Sequence, residues 1–110
     1  MKTLKIMLPI LFALVLLTGC NKSKEEMDKE YREANKKVDQ GQFSEAFSMF
    51  EDLAEDGHIP SQKALAVMYI AGLGVDRDYD KAKEWLEKAA DEGDSEAKSM
   101  LRRGEREGLW

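Results

Sequence analysis

Residues 61–93 read SQKALAVMYIAGLGVDRDYDKAKEWLEKAADEG, and this stretch decides the fold. Its apolar side chains return every three or four positions and do not alternate. Ala64, Leu65, Met68 and Tyr69 make one stripe, and Tyr79, Ala82, Trp85, Leu86, Ala89 and Ala90 make the next. That spacing puts each set on one side of an α-helix. Gly72-Leu73-Gly74 separates the two helices, and Asp76 or Asp78 is placed to cap the second with its carboxylate. Pro60 suits the opening turn of the first, where a missing N–H breaks no hydrogen bond.

The same pattern continues on both sides. Upstream, Phe43, Ala46, Phe47, Phe50, Leu53 and Ala54 form a stripe that ends at Gly57. Downstream, Asp94 or Ser95 can cap a helix whose Ala97, Met100 and Leu101 face inward. The stripes keep a fixed offset of 36 residues. Phe43 pairs with Tyr79, Ala46 with Ala82, Met49 with Trp85, Phe50 with Leu86, Ala54 with Ala90 and Gly57 with Gly93. Ser61, Leu65 and Gly72 pair in the same register with Ala97, Leu101 and Gly108. Chance helical patterning would match polarity but not glycines at one offset, so the period marks an internal repeat. Each unit is two short antiparallel helices that cannot bury their stripes alone and must stack on a neighbour. Outside the N-terminal segment, β-branched residues are few and no run alternates, so the chain is all-α.

Residues 61–93 resemble a Sel1-like repeat, a longer relative of the tetratricopeptide repeat. The family's small-residue opening, Leu, small residue and Tyr stand here as Ser61, Leu65, Ala66 and Tyr69. Its G-x-G-V turn stands as Gly72-Leu73-Gly74-Val75. Its second helix stands as Asp78, Lys81, Ala82, Trp85, Lys88, Ala89, Ala90 and Gly93. The resemblance implies a short α/α helical-hairpin solenoid, with one full repeat at about 61–93 and partial repeats on either side within a region 38–110. Residues 39–57 are similar to a second helix and 94–108 to a first. Arg102, Arg103 and Glu105 stand where an internal unit is apolar, as a polar capping helix requires.

The N-terminus is of another kind. Lys2 and Lys5 precede a twelve-residue apolar run, Ile6 to Leu17, which has the form of a secretory signal and is too short to span a bilayer comfortably. Leu17-Thr18-Gly19-Cys20 follows directly and resembles the lipobox of bacterial lipoproteins. That resemblance implies removal of residues 1–19, a diacylglycerol and an N-acyl chain on Cys20, and attachment to a bilayer. More than one chain makes such an anchor stable. Asn21 in place of an Asp after the cysteine points to the outer membrane, facing the periplasm. Residues 20–37 are then expected to be a charged tether and the start of a first helix, on which Met27, Tyr31 and Ala34 share a face.

Splitting the chain at Cys20 alters its composition. Of 17 basic residues, Lys2 and Lys5 leave with the signal, so 15 remain against 22 acidic ones and the balance moves from −5 to −7. A chain of that charge, without a basic stripe, repels nucleic-acid phosphates. Catalytic motifs are weak. His58, the only histidine, is expected to be an exposed loop residue, and a Ser-His-Asp set drawn from Ser61 and His58 lacks a nucleophile elbow. Asp76, Asp78 and Asp80 lack the glycine and glutamate of a calcium loop. Trp110 is expected to fold back over the last helix, the alternative being an exposed contact point. The resulting expectation is a non-enzymatic, lipid-anchored module that binds an envelope protein or peptide without a cofactor. Lys63, Val67 and Ile70 are its candidate contacts. The alternatives are a hydrolase or binder of cell-wall fragments or β-lactams, and an immunity or accessory lipoprotein for a secreted effector.

Overall fold

The computed structural model describes residues 22–110. Five helices follow one another: α1 (Lys24–Asp39), α2 (Phe43–Glu55), α3 (Ile59–Ala71), α4 (Tyr79–Asp91) and α5 (Ser95–Glu107). Each packs on its sequence neighbour, so the described residues form stacked hairpins, a short all-α solenoid. The signal segment, the Leu17-Thr18-Gly19-Cys20 box and the lipid site at Cys20 lie outside the described residues.

The first helix departs most from the sequence reading. The expected boundary between residues 37 and 38 falls inside α1, which runs unbroken to Asp39 and pairs with α2. The charge run that reads as a solvated tether begins with a capping box. Ser23 Oγ accepts from the Glu26 amide at 3.2 Å, and the Glu26 carboxylate takes the Ser23 amide at 3.4 Å. Two otherwise unpaired helix-end donors are thus satisfied at once. Glu25 and Glu26 near the N-terminus and Lys36 and Lys37 in the last turn also suit the helix dipole. The chain therefore holds two complete hairpins, α1/α2 and α3/α4, followed by α5. The connection from α1 to α2 is much shorter than that from α3 to α4, and α1, at 16 residues against 13, makes up most of the difference.

α3 sits at the centre and feeds two cores. Leu65 and Met68 join Ala34, Ala46, Phe50 and Ala54 on one side. Ala66 and Tyr69 join Ala82, Leu86, Ala89 and Ala97 on the other. A helix packed on both flanks carries apolar residues around most of its circumference. Phe47 belongs to both clusters and meets the Tyr69 ring edge-on at 5.4 Å. Fully buried alanines on every helix let the backbones approach closely.

The caps fall where the sequence allows. Asp78 caps α4 by accepting from the Lys81 amide at 3.0 Å, and Asp94 caps α5 by accepting from the Ala97 amide at 2.9 Å. Gly74 has a left-handed backbone, and its Cα lies so close to the Phe43 carbonyl that a Cβ would overlap it. The Gly-x-Gly turn of one hairpin therefore seats directly on the start of α2. At the other end Trp110 folds back over Gly104, leaving no room for a Cβ there, and its Nε1 donates to the Leu101 carbonyl at 3.3 Å.

Candidate functional site: an apolar groove centred on Val67

α1, α3 and α5 are the first helices of successive units and line one face. Val67 stands in the middle of that face on α3, and at 47% exposure it is the large apolar residue most open to solvent among the described residues. Three hollows adjoin it. One of about 270 Å³ runs toward α5 between Val67, Ile70, Met100, Leu109 and Trp110, with Arg103 and Glu107 at its edge. A second of about 250 Å³ lies among Tyr31, Pro60, Lys63, Val67, Glu96 and Met100. A third of about 190 Å³ opens toward α1 beside Asn35, Val38 and Leu73. Together they make a shallow groove crossing all three helices, apolar toward Trp110 and toward Val38 and mixed in character beside Lys63 and Glu96.

Two of the sequence candidates, Val67 and Ile70, line this groove directly. Lys63 lies at its margin but is engaged in the fold. Its ammonium reaches the Asp94 carboxylate at 3.2 Å and Glu96 at 2.6 Å. Burial pulls the Lys63 pKa down, but the bonds to Glu96 and Asp94 outweigh it and hold the group above the usual lysine range. Of the wall residues, Trp110 was singled out in the sequence, whereas Tyr31, Met100 and Leu109 were not read as contacts. Tyr31 and Met100 read as ordinary members of inward stripes, and in the stack both are only half-buried.

His58 is a correction. It is not an exposed loop residue but is 4% exposed, at the N-cap of α3. Its Nε2 lies 2.9 Å from Asp28 Oδ1 on α1, and its Nδ1 lies 2.7 Å from Ser61 Oγ. An ionised carboxylate only accepts, so Nε2–H donates to Asp28, while Nδ1 and the Ser61 hydroxyl share the second hydrogen bond. The His58 bond holds the Asp28 carboxyl below its usual range. Tyr31 stacks at a tilt on the imidazole at 5.3 Å. This site is hidden in the sequence because the partner acid lies 30 residues away on another helix.

Ser, His and Asp thus meet, but the arrangement is a staple. Ser61 is fully buried, so no substrate carbonyl reaches its hydroxyl. A nucleophile must also lie within reach of a reacting atom. The repeat makes the structural role plain. Asp28 is the fifth residue after the N-cap Ser23, and Lys63 is the fifth after the N-cap His58. Each reaches the N-cap of the next first helix, Asp28 to His58 and Lys63 to Asp94. One staple recurs with its charges exchanged, anion to imidazole and then ammonium to carboxylate.

Residues 59–94 match the Sel1 repeat family model, which covers α3, α4 and the cap of α5. No curated protein and no solved structure matches the chain. The described residues thus form a Sel1-like, tetratricopeptide-like helical repeat domain, a fold typical of protein-interaction scaffolds and one that generally lacks catalytic sites. Among the described residues no cluster of His, Cys, Asp and Glu is suited to a metal, and no helix is long and apolar enough to cross a membrane.

Proposed function

We propose that the chain is a lipid-anchored interaction module of the bacterial cell envelope, holding a protein or peptide in the groove around Val67. The observation that carries the binding half is the groove itself. A 47% exposed valine stands where three hollows meet on one face of the repeat stack, two of them lined chiefly by apolar side chains. Exposed apolar surface rimmed by polar residues is what a binding site presents. The anchoring half rests on the sequence: a basic start, an apolar run and Leu17-Thr18-Gly19-Cys20 in immediate succession. Cys20 would carry the diacylglycerol and N-acyl chain, and Asn21 favours the outer membrane, facing the periplasm. Serving as an immunity or accessory protein for a secreted effector would be one form of the same binding role.

The two halves are tested separately. A photo-crosslinking residue at position 67 should capture a discrete envelope partner from intact cells, and Val67→Glu should abolish co-purification of that partner while leaving the helical content intact. Cys20→Ala (C20A), if exported, should appear in the soluble fraction with its fold unchanged. Persistent membrane association of that variant would sink the anchor. An unaltered partner yield from Val67→Glu would sink the groove.

A further inference from the structure

The described residues begin with a helix, and this constrains how an anchored domain sits. The capping box at Ser23 and the 2.8 Å ion pair between Lys22 and Glu30 fix the start of α1. The 2.9 Å contact from Asp28 to His58 and the packing on α2 fix α1 to the rest of the domain. Only three residues, Asn21, Lys22 and Ser23, separate Cys20 from Lys24, so the chain takes four steps between them. At roughly 3.6 Å per residue, a lipid-bearing Cys20 lies within about 15 Å of that helix end. Beside this end is a mainly apolar hollow of about 230 Å³ formed by Lys24, Met27, Gly57, Ile59 and Pro60, with the paired Asp28 and His58 also in its lining. Met27 and Ile59 are half-buried, and Pro60 is exposed.

We propose that this end of the domain, with the Met27–Ile59–Pro60 patch at its centre, faces and touches the bilayer to which Cys20 is attached. The proposal rests on the anchoring reading above and adds an orientation to it. The acidic balance of the chain after Cys20 gives no pull toward an anionic surface. What holds the patch at the headgroups is the short connection and the apolar contact. Lys24 at the edge of the patch meets lipid phosphates. α3 and α4 then stand away from the membrane, and the Gly72–Asp78 turn lies at the distal end. The groove around Val67 opens sideways along α3, where it is free to receive a partner lying in the envelope space.

The test uses the full chain, lipidated in a bacterial host and reconstituted into phosphatidylcholine vesicles containing a nitroxide-headgroup lipid. The native thiol is consumed by the lipid, so a fluorophore can be placed on Asp56→Cys at the proximal end or on Asp76→Cys at the distal turn. These sites are separated by about 20 Å, the length of a 13-residue helix. Loss of most of the emission at position 56 with little loss at 76 is expected. Pro60→Asp puts an acid in the first turn of α3, where the helix dipole tolerates it, and should lower the quenching at 56 without lowering the melting temperature. Equal quenching at both sites in a chain that floats with vesicles, or unchanged quenching in Pro60→Asp, overturns the orientation alone. An intact mass lacking the lipid, with no flotation, overturns the anchoring reading and this orientation together.

Discussion

At the scale of single residues, the His58 staple and two glycines carry consequences that can be measured. Truncating His58 to Ala strands the Ser61 hydroxyl in a fully buried position and leaves a void under Tyr31. An orphaned buried polar group of this kind costs about 1–3 kcal/mol, so His58→Ala should lower the urea midpoint accordingly. Ser61→Ala removes the hydroxyl itself and should cost less than His58→Ala. A catalytic triad would make no such distinction in stability. Gly74→Ala meets both a left-handed backbone and the Phe43 carbonyl and should destabilise by more than about 1 kcal/mol. Gly104→Ala drives the Trp110 indole off the last helix. Its signature is a red-shifted tryptophan emission, with most of the α-helical circular dichroism retained. Of these features, the Gly-x-Gly turn and the return of Trp110 over the last helix were legible in the sequence, and the His58 staple was not. His58 read as a surface residue because nothing in its neighbours along the chain shows that Asp28 and Tyr31 close over it.

At the scale of helices, the joints between units are electrostatic and should titrate. The His58 bond holds Asp28 below the ordinary aspartate range, and the Ala97 amide, followed by Lys63, does the same for Asp94. A carboxyl with a lowered folded-state pKa adds stability above its unfolded pKa of about 4, and that stability is lost as pH falls through the folded value. The melting temperature should therefore drop on acidification below about pH 4, and Asp94→Asn should flatten that drop. An acid limb no shallower in Asp94→Asn than in the parent chain would remove Asp94 from the account. The helices themselves were read well from the stripes, because a 3.6-residue period survives without tertiary information. α1 is the exception. Its apolar points, Met27, Tyr31 and Ala34, are sparse among charges, and the overlooked signal was the S-K-E-E capping box at Ser23 to Glu26.

At the scale of the whole molecule, stability is shared between neighbours in the stack. Removing α5 from residue 94 onward uncovers Ala66, Leu86 and Ala89, while removing α1 uncovers Phe50, Leu65 and His58. A solenoid this short has no interior unit to spare, so either truncation should abolish the cooperative thermal transition. A chain starting at residue 42 that still melts cooperatively would show that α1 is dispensable.

The sequence by itself determined the repeat: its helical class, its 36-residue offset and the turn glycines. These follow from local periodicity and from backbone demands that act over a few residues. Only the tertiary structure decided that α1 completes a hairpin, that His58 is a buried joint and that Val67 stands open in a groove. Those facts depend on which faces meet when the units stack. Stacking brings together residues 30 or more positions apart, Asp28 with His58 and Lys63 with Asp94, whose pairing leaves no mark on either neighbourhood of the chain.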